Sequence, residues 1–306
     1  MNNGKVVITG ATSFIGNALI RRFLARNDYE IIAVVRPNSL RRSSIGTSER
    51  VKIVESDLEG IDKVDEKLYD AEALFHVGWS SDFENARYNL EGQMQNVAYL
   101  EKVFLLAREI NCRKIIVVGS QAECGRVSSP ISELTPDNPE TAYAIAKCRA
   151  YERGMELCGK YGINLYWPRL LSAYGPNDKM RTLIMSCLDA ATRKNEICLT
   201  KCEQIWDYIY VDDVAEALIK IMDKGVPGIK YTIASGKGRR LSDYISEIAE
   251  ISQSPLLLNG IGKKEYSNDQ VMYLVGDISR LRADTGFDAS VTFRRGIEEI
   301  LRYNFL

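Results

Sequence analysis

Residues 5–16 read KVVITGATSFIG, and the reading of this stretch decides the fold. Lys5–Thr9 is a short β-branched run, expected as a buried strand. A Gly10–Gly16 turn follows, then an amphipathic helix through Ala25. Strand, glycine turn and helix in that order form a phosphate cradle. Gly10 lets the chain turn tightly and Gly16 lets helix and strand pack closely, while N–H groups at the helix start face an anion. Thr12, Ser13, Phe14 and Ile15 fill the turn. Ser13 stands at the middle glycine position of such turns; serine is small and brings a hydroxyl toward a phosphate.

Outward from this stretch, the strand and helix pattern recurs. Strands are expected at Glu30–Val35, Val51–Glu55, Ala73–Val77, Lys114–Val118 and Asn164–Trp167. Long helices are expected at Leu90–Ile110 and Tyr143–Tyr161. Strands alternating with helices predict an α/β fold with a doubly wound parallel sheet, whose buried strands need not alternate apolar with polar residues. After about residue 170 the pattern loosens. Short strands are expected within Gln204–Tyr210 and Ile229–Ala234, and helices at Arg181–Arg193, Asp212–Asp223, Leu241–Ile251 and Arg294–Arg302. The expected division is a dinucleotide-binding domain over residues 1–170 and a smaller C-terminal α/β substrate lobe over residues 171–306, their chain segments interleaved. The cleft is expected at the C-terminal edge of the sheet.

The 306 residues are 45% hydrophobic and 26% charged, enough to bury a core, and the net charge of -1 provides no broad basic field for nucleic acid. No stretch approaches the roughly 20 apolar residues of a membrane span. The start MNNGKVVITG runs straight into a strand, so no signal peptide is expected. Seven cysteines (112, 124, 148, 158, 187, 198 and 202) follow no pairing pattern, which suggests reduced thiols and a cytoplasmic location. Cys198 and Cys202 have no further Cys or His at metal-ligand spacing, so no metal site is expected. His76 is the only histidine and lies in the apolar run Ala73–Val77; it reads as a packed strand residue, and a Ser-His-Asp triad is not expected.

The chemistry concentrates in Tyr143-Ala-Ile-Ala-Lys147, a phenol and an ammonium one helical turn apart on one face. Ser120 follows the fifth expected strand, 23 residues upstream of Tyr143. A free phenol, with a pKa of about 10, is a poor base; a nearby Lys147 ammonium favours the phenolate. In the reducing direction Tyr143 donates its proton to a developing alkoxide and Ser120 holds the carbonyl oxygen for hydride. Arg36 closes the second strand, where a carboxylate favours NAD(H) and an arginine accommodates a 2′-phosphate. With Arg41 and Arg42 in the following loop, NADP(H) is the favoured cofactor and NAD(H) the alternative. Asp57-Leu58, after the third strand, is expected to set a carboxylate against the adenine amino group.

Taken together, these segments resemble the extended short-chain dehydrogenase/reductases of the NAD(P)-dependent nucleotide-sugar epimerase, dehydratase and reductase type, whose dinucleotide domain is a Rossmann fold. Thr9–Gly16 resembles that family's T-G-x-x-G-x-x-G, Phe75–Gly78 its strand-four F-H-L-A, and Asn89–Gly92 its N-x-x-G. Tyr174–Pro176 matches Y-G-P, and Trp206–Asp213 resembles R-D-F-I-H-V-D-D. Gly276–Leu281, Thr285–Phe287 and Val291–Gly296 resemble the C-terminal segments. The match spans nearly the whole chain. It implies catalysis by Ser120, Tyr143 and Lys147, a cofactor lying also against Val77, Gly78 and Leu170, and substrate contacts from Ser80, Gln121, Ser172 and Trp206. Ser172 and Trp206 depart from the family's Asn and Arg, and Trp206 is a candidate for stacking on a base or sugar.

Relatives that dehydrate a sugar carry an Asp-Glu pair after the catalytic Ser or Thr. Here those positions hold Gln121 and Ala122; Glu123 falls one place late and, on a strand-like stretch, turns away from the site. Dehydration is therefore disfavoured. The resemblance, with Arg36, implies an NADPH-dependent ketoreductase acting at C4 of a nucleotide-activated 4-keto-6-deoxyhexose. The alternatives are an NAD-dependent C4 epimerase, a reductase of non-nucleotide carbonyls, and a non-catalytic NADP-binding sensor or scaffold. The family also implies a homodimer through a four-helix bundle formed by Leu90–Ile110 and Tyr143–Tyr161.

Overall fold

The computed structural model describes residues 4–63, 65–81 and 83–305; the first three residues of the MNNG start lie outside them. Strands β1 (Gly4–Thr9), β2 (Tyr29–Val35), β3 (Val51–Glu55), β4 (Ala73–His76) and β5 (Lys114–Val117) join a further strand, Asn164–Tyr166, in one six-stranded sheet. The order across the sheet is β3-β2-β1-β4-β5 and then Asn164–Tyr166, and every pairing is parallel. The strand order reverses beside β1, which opens a crevice at the carboxyl ends of β1 and β4.

The sheet is buried on both sides because β1 sends Val6 and Ile8 into one apolar cluster and Val7 into another. Helix α1 (Phe14–Arg26) lies on the first face together with α5 (Val211–Lys224); α2 (Leu90–Glu109) and α3 (Ala142–Tyr161) pack against each other over the second. Local chemistry sets the helix ends. Ser13 caps α1 by accepting from the Gly16 N–H, and Asn27 stops it in the left-handed region at φ 62°. Thr141 caps α3, and Gly162 ends it at φ 64°.

Beyond residue 170, α4 (Leu183–Thr192), α6 (Leu241–Ile251) and the helix Phe293–Asn304 enclose a third apolar cluster. Short strands tie this part back. Arg169–Leu170 lies between Gly119–Ser120 and Thr232–Ile233, and Ser172–Tyr174 pairs with Tyr208–Tyr210. Asp207, fully buried, holds the junction by accepting from the N–H groups of Ser235, Gly236 and Gly276 and from the Ser235 hydroxyl. Among the described residues no helix is long and apolar enough to cross a membrane, and no group of three or more His, Cys, Asp or Glu is placed to hold a metal ion.

His76 ends β4, buried, and shares a 2.8 Å hydrogen bond between its Nδ1 and the Thr9 hydroxyl. Burial, and then the nearby Lys147 charge, push its pKa down to about 3. An imidazole free in the unfolded chain takes up a proton near pH 6.5, so the folded state loses stability as pH falls from there toward 3. As the sole histidine, His76 is expected to show one set of imidazole resonances by NMR that stays unshifted between about pH 8 and pH 5. A midpoint near pH 6.5 in the folded protein would contradict this burial.

Candidate active site

Three segments converge at the carboxyl edge of β4 and β5. The strand Gly119–Ser120 pairs with Arg169–Leu170, and this fixes Ser120 beside Leu170. The first two turns of α3 carry Tyr143 and Lys147, and the Tyr143 N–H donates to the Arg87 carbonyl of the loop before α2. The loop after β4 contributes Val77–Ser80. The structure therefore brings Ser120, Tyr143 and Lys147 together, as their spacing predicts. The Tyr143 phenol lies near the Ser120 side chain. Burial raises the phenol's pKa and the Ser120 contact partly offsets this, so Tyr143 is protonated at neutral pH. Lys147, fully enclosed, donates from Nζ to the Val118 carbonyl at 2.7 Å. Burial pushes its ammonium down to about 7, against the upward pull of Glu123.

Glu123 is placed differently from expectation. It does turn away from the site, but the stretch is no strand. Gln121–Cys124 forms a 3-10 turn capped by Ser120, whose N–H donates to Glu123 Oε1 at 2.8 Å and whose Oγ accepts from the Ala122 N–H. The reciprocal capping rolls the carboxylate beneath Ser120. There it accepts from Trp167 Nε1 at 3.0 Å and from Arg169 Nε at 3.2 Å, and all three side chains are almost completely buried. Arg169 continues to Asp137, which also pairs with Lys230. A side chain at Gly119 would overlap Trp167 and Glu123, so only glycine fits there. Gln121 begins the turn, half-buried beside Ser120.

The glycine turn fits a dinucleotide pyrophosphate. Gly10 sits at φ 67°, and a Cβ there would lie 2.6 Å from the Gly78 nitrogen; one on Gly16 would lie 2.3 Å from the Gly10 carbonyl oxygen. The backbone is thus packed tightly around an open helix N-terminus, the arrangement that accepts phosphate. Thr12, Ser13, Phe14 and Ile15 are half-buried along this turn. The Ser13 hydroxyl has a role unforeseen from the sequence: it receives the Gly16 N–H as the helix cap at 3.1 Å. Val77 and Gly78 pack directly against the turn, with Leu58 3.4 Å from where a Gly78 Cβ would stand. Asp57 Oδ1 accepts from the Gly60 N–H at 2.7 Å and so caps its own turn. Arg36 is exposed just beyond β2. Arg41 is exposed too, and its carbonyl accepts from Ser44, whose hydroxyl receives Asn17 of α1. Arg42 pairs with Glu55.

In the C-terminal part, Trp206 Nε1 donates to Ser172 Oγ at 2.8 Å. The two positions that depart from the family pattern are therefore bonded to each other. The Trp206 ring also packs against both the sheet cluster and the C-terminal cluster, so its pose is set by the protein. Ser80 is pinned through its backbone, its N–H donating to Asn96 Oδ1 at 2.6 Å and its carbonyl receiving Asn96 Nδ2. Sequence reasoning missed Glu123 as support for Ser120, and Gln93 and Asn96 as anchors of the 77–80 loop. Two amides three residues apart on the sheet-facing side of α2 were the available signal for the latter.

Residues 6–234 match the family described as NAD dependent epimerase/dehydratase. CDP-abequose synthase of Salmonella typhimurium is 23% identical over 302 residues, covering 97% of each chain. GDP-6-deoxy-D-mannose reductase of Pseudomonas aeruginosa is 25% identical over 60% of this chain and 62% of its own. Among solved structures, UDP-N-acetylglucosamine 4-epimerase from Methanobrevibacter ruminantium superposes with a TM-score of 0.86 at 19% identity, covering 99% of both chains.

Proposed function

This chain belongs to the NAD-dependent epimerase/dehydratase family, and within that family we propose that it is an NADPH-dependent ketoreductase acting at C4 of a nucleotide-activated 4-keto-6-deoxyhexose. The observation that carries this reading is the placement of Arg36 just beyond β2, where an arginine meets a 2′-phosphate, in a chain that gathers Ser120, Tyr143 and Lys147 at the carboxyl edge of β4 and β5. A reductase draws on NADPH and releases NADP, and the ketone under reduction needs a proton donor at its oxygen, the role open to Tyr143. Two relatives support a nucleotide-linked deoxysugar by name, a CDP-abequose synthase and a GDP-6-deoxy-D-mannose reductase.

In this reading Gly10, Thr12, Ser13, Phe14, Ile15 and Gly16 hold the pyrophosphate, and Asp57 and Leu58 border the adenine. Arg36 and Arg41 meet the 2′-phosphate, while Val77, Gly78 and Leu170 line the nicotinamide side. The bound nicotinamide supplies the hydride. Ser120 donates a hydrogen bond to the carbonyl oxygen and aligns it, Tyr143 passes its phenolic proton to that oxygen, and Lys147 steadies the charge left on the phenol. The lobe over residues 171–306, with Ser172 and Trp206, receives the nucleotide sugar, and Ser80 and Gln121 meet its hexose. The free, scattered cysteines suit a reducing cytoplasm. Leu90, Met94 and Met155 on the outer faces of α2 and α3 are exposed and suit a homodimer through those helices; light scattering that reports a monomer would remove it.

The test is NADPH oxidation, followed by absorbance, with a panel of nucleotide-linked 4-keto-6-deoxyhexoses and NADH as control. Stoichiometric oxidation with one sugar nucleotide is expected. Interconversion of unreduced sugar nucleotides without added cofactor would install a C4 epimerase, and binding without turnover a sensor. Arg36→Ala is expected to weaken NADPH binding by about 10- to 100-fold, the loss of one charge-assisted phosphate contact, with NADH binding little changed. Equal weakening of both would remove Arg36 from cofactor choice.

A further inference from the structure

The loop after β4 places an aromatic ring directly against the Lys147 ammonium. Nζ lies 3.5 Å from the Trp79 ring centroid, closer than its 5.8 Å to Tyr143 and 6.0 Å to Trp167. The ring does not reach this place by chance of rotamer. Its Nε1 donates to Gln93 Oε1 at 2.8 Å, and Gln93, itself buried, donates onward to the Ala86 carbonyl at 2.8 Å. The next residue, Ser80, is clamped through its backbone by Asn96, so α2 holds the indole through Gln93 and its loop through Asn96. The same ring meets Tyr143 edge-on at 6.1 Å and 85°. One indole therefore touches both the lysine and the tyrosine of the site.

We propose that Trp79 is the positioning residue for Lys147: its face holds the ammonium between the indole and the Val118 carbonyl, one helical turn from the Tyr143 phenol. This rests on the reading of Lys147 as part of the catalytic set. The physical reason is desolvation. A buried ammonium with one carbonyl partner lacks most of the hydrogen bonds it had in water. An indole face supplies negative potential without a competing charge, and tryptophan does this best of the aromatic residues. A carboxylate in its place would neutralise the ammonium's pull on the phenol. The titratable and charged groups around Lys147 are few. Tyr143 lies on its own helix, His76 ends β4 and is neutral above about pH 3, and Glu123 acts from the turn after Ser120 with Arg169 paired behind it. Burial pushes the lysine down to about 7, so a modest change in its surroundings alters its charge at neutral pH.

The test reads Lys147 directly, by NMR of 15N-labelled lysine side chains, its signal identified by its loss in Lys147→Met. Trp79→Leu is expected to lower the titration midpoint of Lys147 by roughly one pH unit, and Trp79→Phe by less, since a phenyl face restores part of the contact. Progressively fluorinated tryptophan at position 79 keeps the shape and drains the ring's negative face, so the midpoint is expected to fall stepwise even if the leucine variant folds poorly. A midpoint that is unchanged, or that rises, across the fluorinated series overturns the proposal. In the pH–rate profile the alkaline limb is expected to move to lower pH in parallel with the NMR midpoint. A purely structural loss would scale the profile without moving it. The two readings fail separately: the NMR series decides Trp79 even in a protein that reduces no ketosugar, and an active reductase with an immobile midpoint removes Trp79 alone.

Discussion

Tyr143→Phe is expected to lower kcat by roughly 10²- to 10⁴-fold, the usual worth of a positioned proton donor, while NADPH affinity stays close to that of the parent. The substitution removes one hydroxyl and little else. The phenyl ring keeps its edge-on contact with Trp79, the backbone N–H of residue 143 still donates to the Arg87 carbonyl, and Lys147 keeps its bond to Val118. What disappears is the phenolic proton beside Ser120. A ketone oxygen would then acquire negative charge with only the Ser120 hydroxyl to meet it. NADPH oxidation gives kcat, and cofactor fluorescence gives the affinity. A variant that keeps near-parental kcat would show that another group delivers the proton and would sink the assignment of Tyr143.

Glu123→Leu is expected to cost about 3 kcal/mol or more in denaturant unfolding, the range for removing one partner from a buried ion pair. Three donors lose their acceptor at once: the Ser120 N–H, Trp167 Nε1 and Arg169 Nε. Arg169 retains Asp137 and the Thr135 carbonyl, which limits the loss. Glu123→Gln keeps the volume and one acceptor and is expected to recover part of the stability. The pair of variants also separates shape from charge. The Glu123 carboxylate holds both Tyr143 and Lys147 at higher pKa, so the glutamine variant is expected to move the pH–rate profile to lower pH as well. If both variants unfold at the parental denaturant midpoint, Glu123 does not hold the Ser120 turn.

The elements that were readable from residue patterns are those whose cause is local. The strand Gly4–Thr9 and the helix after it follow from a β-branched run, a glycine turn and an amphipathic run, all within a few residues of one another. Tyr143 and Lys147 share a face because they are one turn apart on α3. Short apolar strands past residue 170 were placed only broadly: Gln204–Tyr210 is two strands, Ile205–Trp206 and Tyr208–Tyr210, broken at Asp207, whose carboxylate is drawn inward by backbone donors from two distant loops. Nothing near Asp207 in the chain announces those donors.

By itself, then, the order of residues determined a doubly wound α/β protein with a dinucleotide turn and a Ser-Tyr-Lys set, because periodicity, capping and turn chemistry act over one to four positions. Tertiary structure alone decided how that set is tuned. Glu123 went under Ser120 because Trp167 and Arg169, more than forty positions away, supplied donors for its carboxylate. Trp206 was turned to Ser172 across thirty-four positions, and Trp79 was set over Lys147 by an amide on α2. Each is a buried polar group or ring satisfied by a partner brought near only when the sheet closed. Such partners are selected by packing and by the cost of leaving a buried donor or acceptor unpaired, and neither is written in the neighbouring sequence.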